Sequence, residues 1–80
     1  MPWYQYFWTE EAIEHIGQHD ITPEEFEWIM EHAESKGTSD SSGRPMVYGY
    51  APDGRYLVAI FELLDDGVTA IPVTCYEVPE

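Results

Sequence analysis

Arg44 to Tyr76, RPMVYGYAPDGRYLVAIFELLDDGVTAIPVTCY, is the stretch whose reading decides the fold. Three runs rich in Val, Ile, Tyr, Phe and Thr cover 46–50, 55–62 and 68–76. These residue types pack well on a pleated surface. Between the runs lie Ala51-Pro52-Asp53-Gly54 and Leu64-Asp65-Asp66-Gly67. Each connector ends in Asp-Gly, where Gly supplies the positive φ that a reversal with a bulge needs. The stretch therefore predicts an antiparallel three-stranded meander. Pro72 cannot donate to a ladder, so it marks an edge or a bulge between Ile71 and Val73. The third strand is accordingly expected at or near a sheet edge.

Upstream of the meander, Thr22-Pro23-Glu24-Glu25 is a strong helix start. Thr22 caps, Pro23 occupies the first helical position and Glu25 completes a capping box. Ile21 and Phe26 have the spacing of a hydrophobic staple. Phe26, Ile29, Met30 and Ala33 recur at i, i+3, i+4 and i+7, which makes this helix amphipathic. Lys36 near its end and Gly37 after it read as stop signals. An earlier helix begins at the cap Thr9, with Glu10 and Glu11 in its first turn and Ala12, Ile13 and Ile16 as its apolar stripe. It extends to Gln18 or His19, with Gly17 either tolerated inside it or ending it early. The aromatic run Trp3, Tyr4, Tyr6, Phe7, Trp8 alternates so that Tyr4, Tyr6 and Trp8 share a face, as in a short strand joining the sheet. With no basic residue nearby, it reads as core and not as a base-stacking platform. Residues 38–43, rich in Ser, are expected to form a mobile loop linking the helices to the meander. The predicted architecture is one α+β domain over 1–80, a two-layer sandwich of order β-α-α-β-β-β with both helices on one face of the sheet.

Composition restricts the function. Sixteen acidic residues against Lys36, Arg44 and Arg55 give a net charge of −13. Binding nucleic acid through phosphates needs several cations on one face, so such binding is not expected. A basic protein partner suits the charge better, and Pro72 in the third strand together with Glu77 and Glu80 after it favours a monomer in isolation. One cysteine, Cys75, allows neither an internal disulfide nor a cysteine-built zinc site, and it reads as a buried, inert thiol. No apolar run approaches the ~20 residues of a membrane helix, and the N-terminus lacks the positive charge of a signal peptide. A cytoplasmic protein is expected.

The order of elements, with these residues in it, resembles the BrnT family of toxins, in the broad RelE-like ribonuclease group. The resemblance rests on Phe7-Trp8-Thr9-Glu10-Glu11 and on His19-Asp20-Ile21-Thr22-Pro23-Glu24-Glu25. It continues through Arg44, the pair Gly49-Tyr50, the run Gly54-Arg55-Tyr56-Leu57-Val58-Ala59-Ile60-Phe61, and Ile71-Pro72-Val73-Thr74. It implies a metal-independent ribonuclease site in which His19, Arg44, Arg55 and Tyr76 converge. The His would serve as acid or base, the Arg pair as phosphate clamp and the Tyr as proton donor. It also implies an antitoxin-like partner.

Departures from the family pattern bear on that activity. Gln18 stands where the family has a basic residue before the histidine, and Thr74-Cys75-Tyr76 replaces an Arg-bearing Ser-Ala-Arg ending. A basic C-terminal helix is replaced by Val78-Pro79-Glu80. Ribonuclease activity is therefore expected to be reduced or lost, and Arg44 and Arg55 are expected to pair with carboxylates. The alternative is a non-catalytic acidic module that binds a basic protein. His15 and His19, with Glu11 one turn earlier, have metal-ligand spacing on a helix but no placed third ligand, so neither metal nor cofactor is expected.

Overall fold

A computed structural model describes residues 4–38 and 43–79. Its elements are β1 (Gln5–Tyr6), α1 (Glu10–Gly17), α2 (Pro23–Glu31), β2 (Ser35–Thr38), β3 (Pro45–Tyr50), β4 (Tyr56–Leu63) and β5 (Thr69–Glu77). The predicted meander is present as β3, β4 and β5, and Gly54 and Gly67 carry the positive φ of its two turns. The sheet has five strands in the order β1-β5-β4-β3-β2. The α+β architecture is as expected, with one strand more than the sequence indicated. Trp3, residues 39–42 and Glu80 lie outside the described residues.

The additional strand is β2, where the sequence predicts the end of a helix. α2 stops at Glu31, and the Glu34 amide donates to Tyr48 O at 2.8 Å, which opens an antiparallel ladder with β3. Gly49 gives this exit room, because a Cβ there would lie a tight 3.3 Å from His32 O and in ordinary contact, 3.5 Å, with Ala33 Cα. The backbone leaving α2 passes directly over β3, where it meets unpaired strand groups. Pairing with them satisfies more backbone donors than a frayed last helical turn would.

α1 is capped by Thr9, whose hydroxyl accepts from the Ala12 amide. Gly17 remains helical. The stop is Asp20, at φ 60°, with the Ile21 amide donating to Ile16 O and the Asp20 amide to Gly17 O. This is a Schellman closure, and its usual apolar contact is provided by Ile16 and Ile21, both in the core. α2 has the predicted capping box, with Thr22 and Glu25 bonded reciprocally. Ile13, expected in the stripe of α1, is exposed; Ala12 and Ile16 face inward.

Both helices lie on one side of the sheet. Phe26, Ile29, Met30 and Ile16 pack on Val47, Leu57, Ala59, Phe61, Ala70 and Cys75. Tyr4, Tyr6 and Trp8 close this core from β1, with the Trp8 and Phe26 rings edge to face at 5.2 Å.

β5 is second in the strand order and so lies near the edge, as expected; β1 pairs parallel with it at Thr69 and Ala70 alone. The expected bulge is present. Phe61 pairs with Pro72 and Ile60 with Thr74, leaving Val73 without a partner. Phe7 N–H donates to Ala70 O, so Ala70 and, two residues on, Pro72 turn their backbone groups away from β4. The missing proline N–H therefore removes no β4–β5 bond. Among the described residues no helix is long and apolar enough to cross a membrane.

Candidate functional site

The structure brings three of the four anticipated site residues to one end of the sheet. His19 follows the last turn of α1, and its ring centroid lies 6.0 Å from that of Tyr76 on β5. Arg55 enters β4 at the same end. Its Nη1 donates to Asp20 O at 3.0 Å, next to His19 in the chain. Arg44 is elsewhere. It precedes β3 and donates through Nε to Glu62 at 2.9 Å, near the far end of β4. That is a strand length from Arg55, roughly 20 Å at the usual rise. The two arginines therefore form no joint phosphate clamp.

Arg55 is engaged on every nitrogen of its guanidinium. Besides Asp20 O, it reaches Asp53 Oδ2 through Nε at 2.7 Å and Glu25 Oε2 through Nη2 at 2.5 Å. Burial opposes its charge, but the bonds to Asp53 and Glu25 outweigh that and hold its pKa above the ordinary value. Asp53 is held below the usual carboxylate range by the Arg55 amide and then by the guanidinium. The arrangement ties the turn after α1, the first turn of α2 and the β3–β4 turn together. It leaves little donor capacity for a phosphate.

His15 and His19 sit with ring centroids 5.6 Å apart on the outer side of α1. Among the described residues no three His, Cys, Asp or Glu side chains are placed to hold a metal ion. Between α1 and the outer flank of β5 runs a groove of about 360 Å³, bounded by Thr9, Glu11 and His15 on the helix and by Pro72, Val73 and Thr74 on the strand. A shallower hollow beside it is lined by Glu11, Glu14, His15 and Gln18. Neither carries a Lys or Arg. Cys75 is fully buried and its thiol is pushed up to about 12, first by burial and then by the negative charge of Glu25. It is no nucleophile, as the sequence indicated.

A feature that the sequence reading passed over lies on the opposite side of the sheet. Side chains alternate along β4, so Leu57, Ala59 and Phe61 meet the helices while Tyr56, Val58 and Ile60 point the other way. In register beside them are Tyr50, Tyr48 and Met46 on β3, and Tyr76 and Thr74 on β5. The Tyr48 and Tyr56 rings stack at 6.0 Å, and Tyr50 lies 4.8 Å from Tyr56. No described element covers this face. The signal was available in β4, which is apolar at both parities where a half-solvated strand alternates.

No protein-family model, curated protein or solved structure matches this chain.

Proposed function

We propose that this chain is a BrnT-like toxin-family domain whose ribonuclease activity is lost and which acts by binding a basic polypeptide. The observation that carries the reading is the fate of the two arginines. Arg55 is spent on Glu25, Asp53 and the Asp20 carbonyl, and Arg44 pairs with Glu62 a strand length away. A phosphorane-like transition state needs converging cations. A net charge of −13 repels a polyanion and attracts a polycation.

The second reading, a metal-independent ribonuclease, draws on the approach of His19 to Tyr76 with Arg55 at the same end. His19 would move the proton there, and Arg55 would have to leave its carboxylates.

Incubation with free and ribosome-associated RNA separates the two. The expected result is no cleavage, together with salt-sensitive binding of poly-lysine and none of poly-glutamate. RNA cleavage that disappears in His19→Ala would establish the nuclease and overturn the proposal.

A further inference from the structure

His15 and His19 stand four residues apart, the spacing at which a helix sets two side chains one above the other. His19 lies just past α1, yet the Schellman closure keeps it on the helical path. The chain reverses only at Asp20, whose amide donates to Gly17 O while the Ile21 amide returns to Ile16 O. Arg55 tethers that turn to β4 through Asp20 O at 3.0 Å, and the Tyr76 ring lies 6.0 Å from the His19 ring. The second imidazole is thus seated on a backbone that is held in place.

Two imidazoles on one ion, with metal–nitrogen bonds of about 2.0–2.1 Å at a square or tetrahedral angle, have ring centroids roughly 4.5–5.5 Å apart. Those of His15 and His19 are 5.6 Å apart. Small rotations about the side-chain bonds bring both rings onto a common ion. Both residues are exposed, and neither ring makes a hydrogen bond to another described residue. His32 is placed differently: its Nδ1 is 3.0 Å from Trp28 O, and its ring stacks on the indole at 3.9 Å.

The surroundings favour a cation. Glu11 and Glu14 line the hollow beside His15, and no Lys or Arg reaches it. Among the described residues no third His, Cys, Asp or Glu is placed to close a cage around the ion. Water therefore fills its remaining positions. Metal was not expected from the sequence for want of a placed third ligand, but a chelate of two nitrogens needs none. Imidazole selects late first-row ions, Cu²⁺ above Zn²⁺, over the hard Mg²⁺, which takes oxygen.

We propose that His15 and His19 together bind one late first-row divalent cation, Cu²⁺ more tightly than Zn²⁺, on the outer side of α1. The inference is independent of the reading of the chain as a binding domain. The ion bridges the last turn of α1 and the closure that follows it. It binds the folded chain in preference to the unfolded one and so stabilises the fold.

The probe is Zn²⁺ titrated into the full chain while the histidine ring C–H signals are followed by NMR. Calorimetry with Cu²⁺ gives the relative affinity, and Mg²⁺ is the control. The rings of His15 and His19 are expected to shift together, at one ion per chain, with Cu²⁺ binding more tightly and Mg²⁺ moving neither. His15→Gln and His19→Gln should each weaken Zn²⁺ binding at least about tenfold, the scale on which even outer-shell changes weaken a metal site. His32→Gln should leave it unchanged. Amide dispersion in the same samples shows whether each variant is folded.

Zn²⁺ binding of undiminished strength in both glutamine variants would mean attraction by the carboxylates alone and would overturn the shared site. So would a loss in one variant only, which places the ion on a single histidine, or Mg²⁺ that moves the same two rings. No ring shift at about 1 mM Zn²⁺ would overturn it as well.

Discussion

Arg55 Nη2 lies 2.5 Å from Glu25 Oε2, while Glu25 Oε1 accepts from the Thr22 amide at 3.0 Å and closes the capping box of α2. One carboxylate thus starts a helix and anchors the meander to it. The same guanidinium holds the carbonyl of Asp20, the residue in left-handed conformation that ends α1. A residue that the family resemblance assigns to phosphate binding is here the joint between the helical layer and the sheet.

Arg55→Ala should therefore cost stability, by about 2 kcal/mol, since it leaves Glu25 and the Asp20 carbonyl without their donor. Arg55→Lys should recover only part, because a point charge cannot reach three acceptors in one plane. Urea denaturation of both variants measures this. A loss under about 0.5 kcal/mol for the alanine variant would show the joint to be idle.

Gly17→Ala should stabilise. Gly17 is the last residue of α1, it lies outside the positive-φ region, and an added Cβ would have no atom within 4 Å. Reduced freedom of the unfolded chain and better helix propensity predict a gain of about 0.5–1 kcal/mol, read as a higher melting temperature. A decrease would mean that α1 needs glycine's freedom to reach its Schellman closure.

Tyr6→Phe should stabilise as well. The Tyr6 hydroxyl is buried with no hydrogen-bond partner among the described residues, and burial, then Glu31 and Glu27, push its pKa up. Removing an unsatisfied hydroxyl while keeping the ring should gain about 1 kcal/mol. Phe26→Ala, at a fully buried ring in the same core, should lose about 3–5 kcal/mol. Equal responses of the two variants in denaturant melts would contradict this packing.

Stability should fall at alkaline pH. Burial raises the Cys75 thiol from 9.0 to about 12, so its contribution is complete below about pH 9 and is lost as pH climbs toward 12. The span corresponds to roughly 4 kcal/mol at most. Tyr6, also raised, acts in the same sense. Asp66, held low by the Thr69 hydroxyl and then by the Thr69 and Val68 amides, behaves oppositely. Its contribution is present above the ordinary carboxylate range and lost as pH falls through its lowered value. Thermal melts across pH should show an alkaline decline that is shallower in Cys75→Ala. An unchanged slope would assign the decline to other groups.

What the sequence determined by itself was local. Gly54 and Gly67 set the two reversals of the meander, because few other residues accept that φ. Thr9, and Thr22 with Glu25, set the helix starts, because a cap acts within one turn. Alternation put Tyr4, Tyr6 and Trp8 against the core, and Pro72 marked the bulge at Val73. Tertiary structure decided what depends on distant partners. Ser35–Thr38 became a strand because the backbone leaving α2 crosses Gly49 and meets β3, whereas its own residues read as the end of a helix. β5 is displaced from the outermost place by one strand because β1, far away in sequence, pairs with Thr69 and Ala70. Arg44 and Arg55 stand apart because they flank β3, a separation the predicted strand already contained, whereas the side on which the helices pack left Val58 and Ile60 on a face that no described helix covers. Caps and turns are fixed by contacts a few residues apart, but pairing, edges and convergence are fixed by which strands become neighbours.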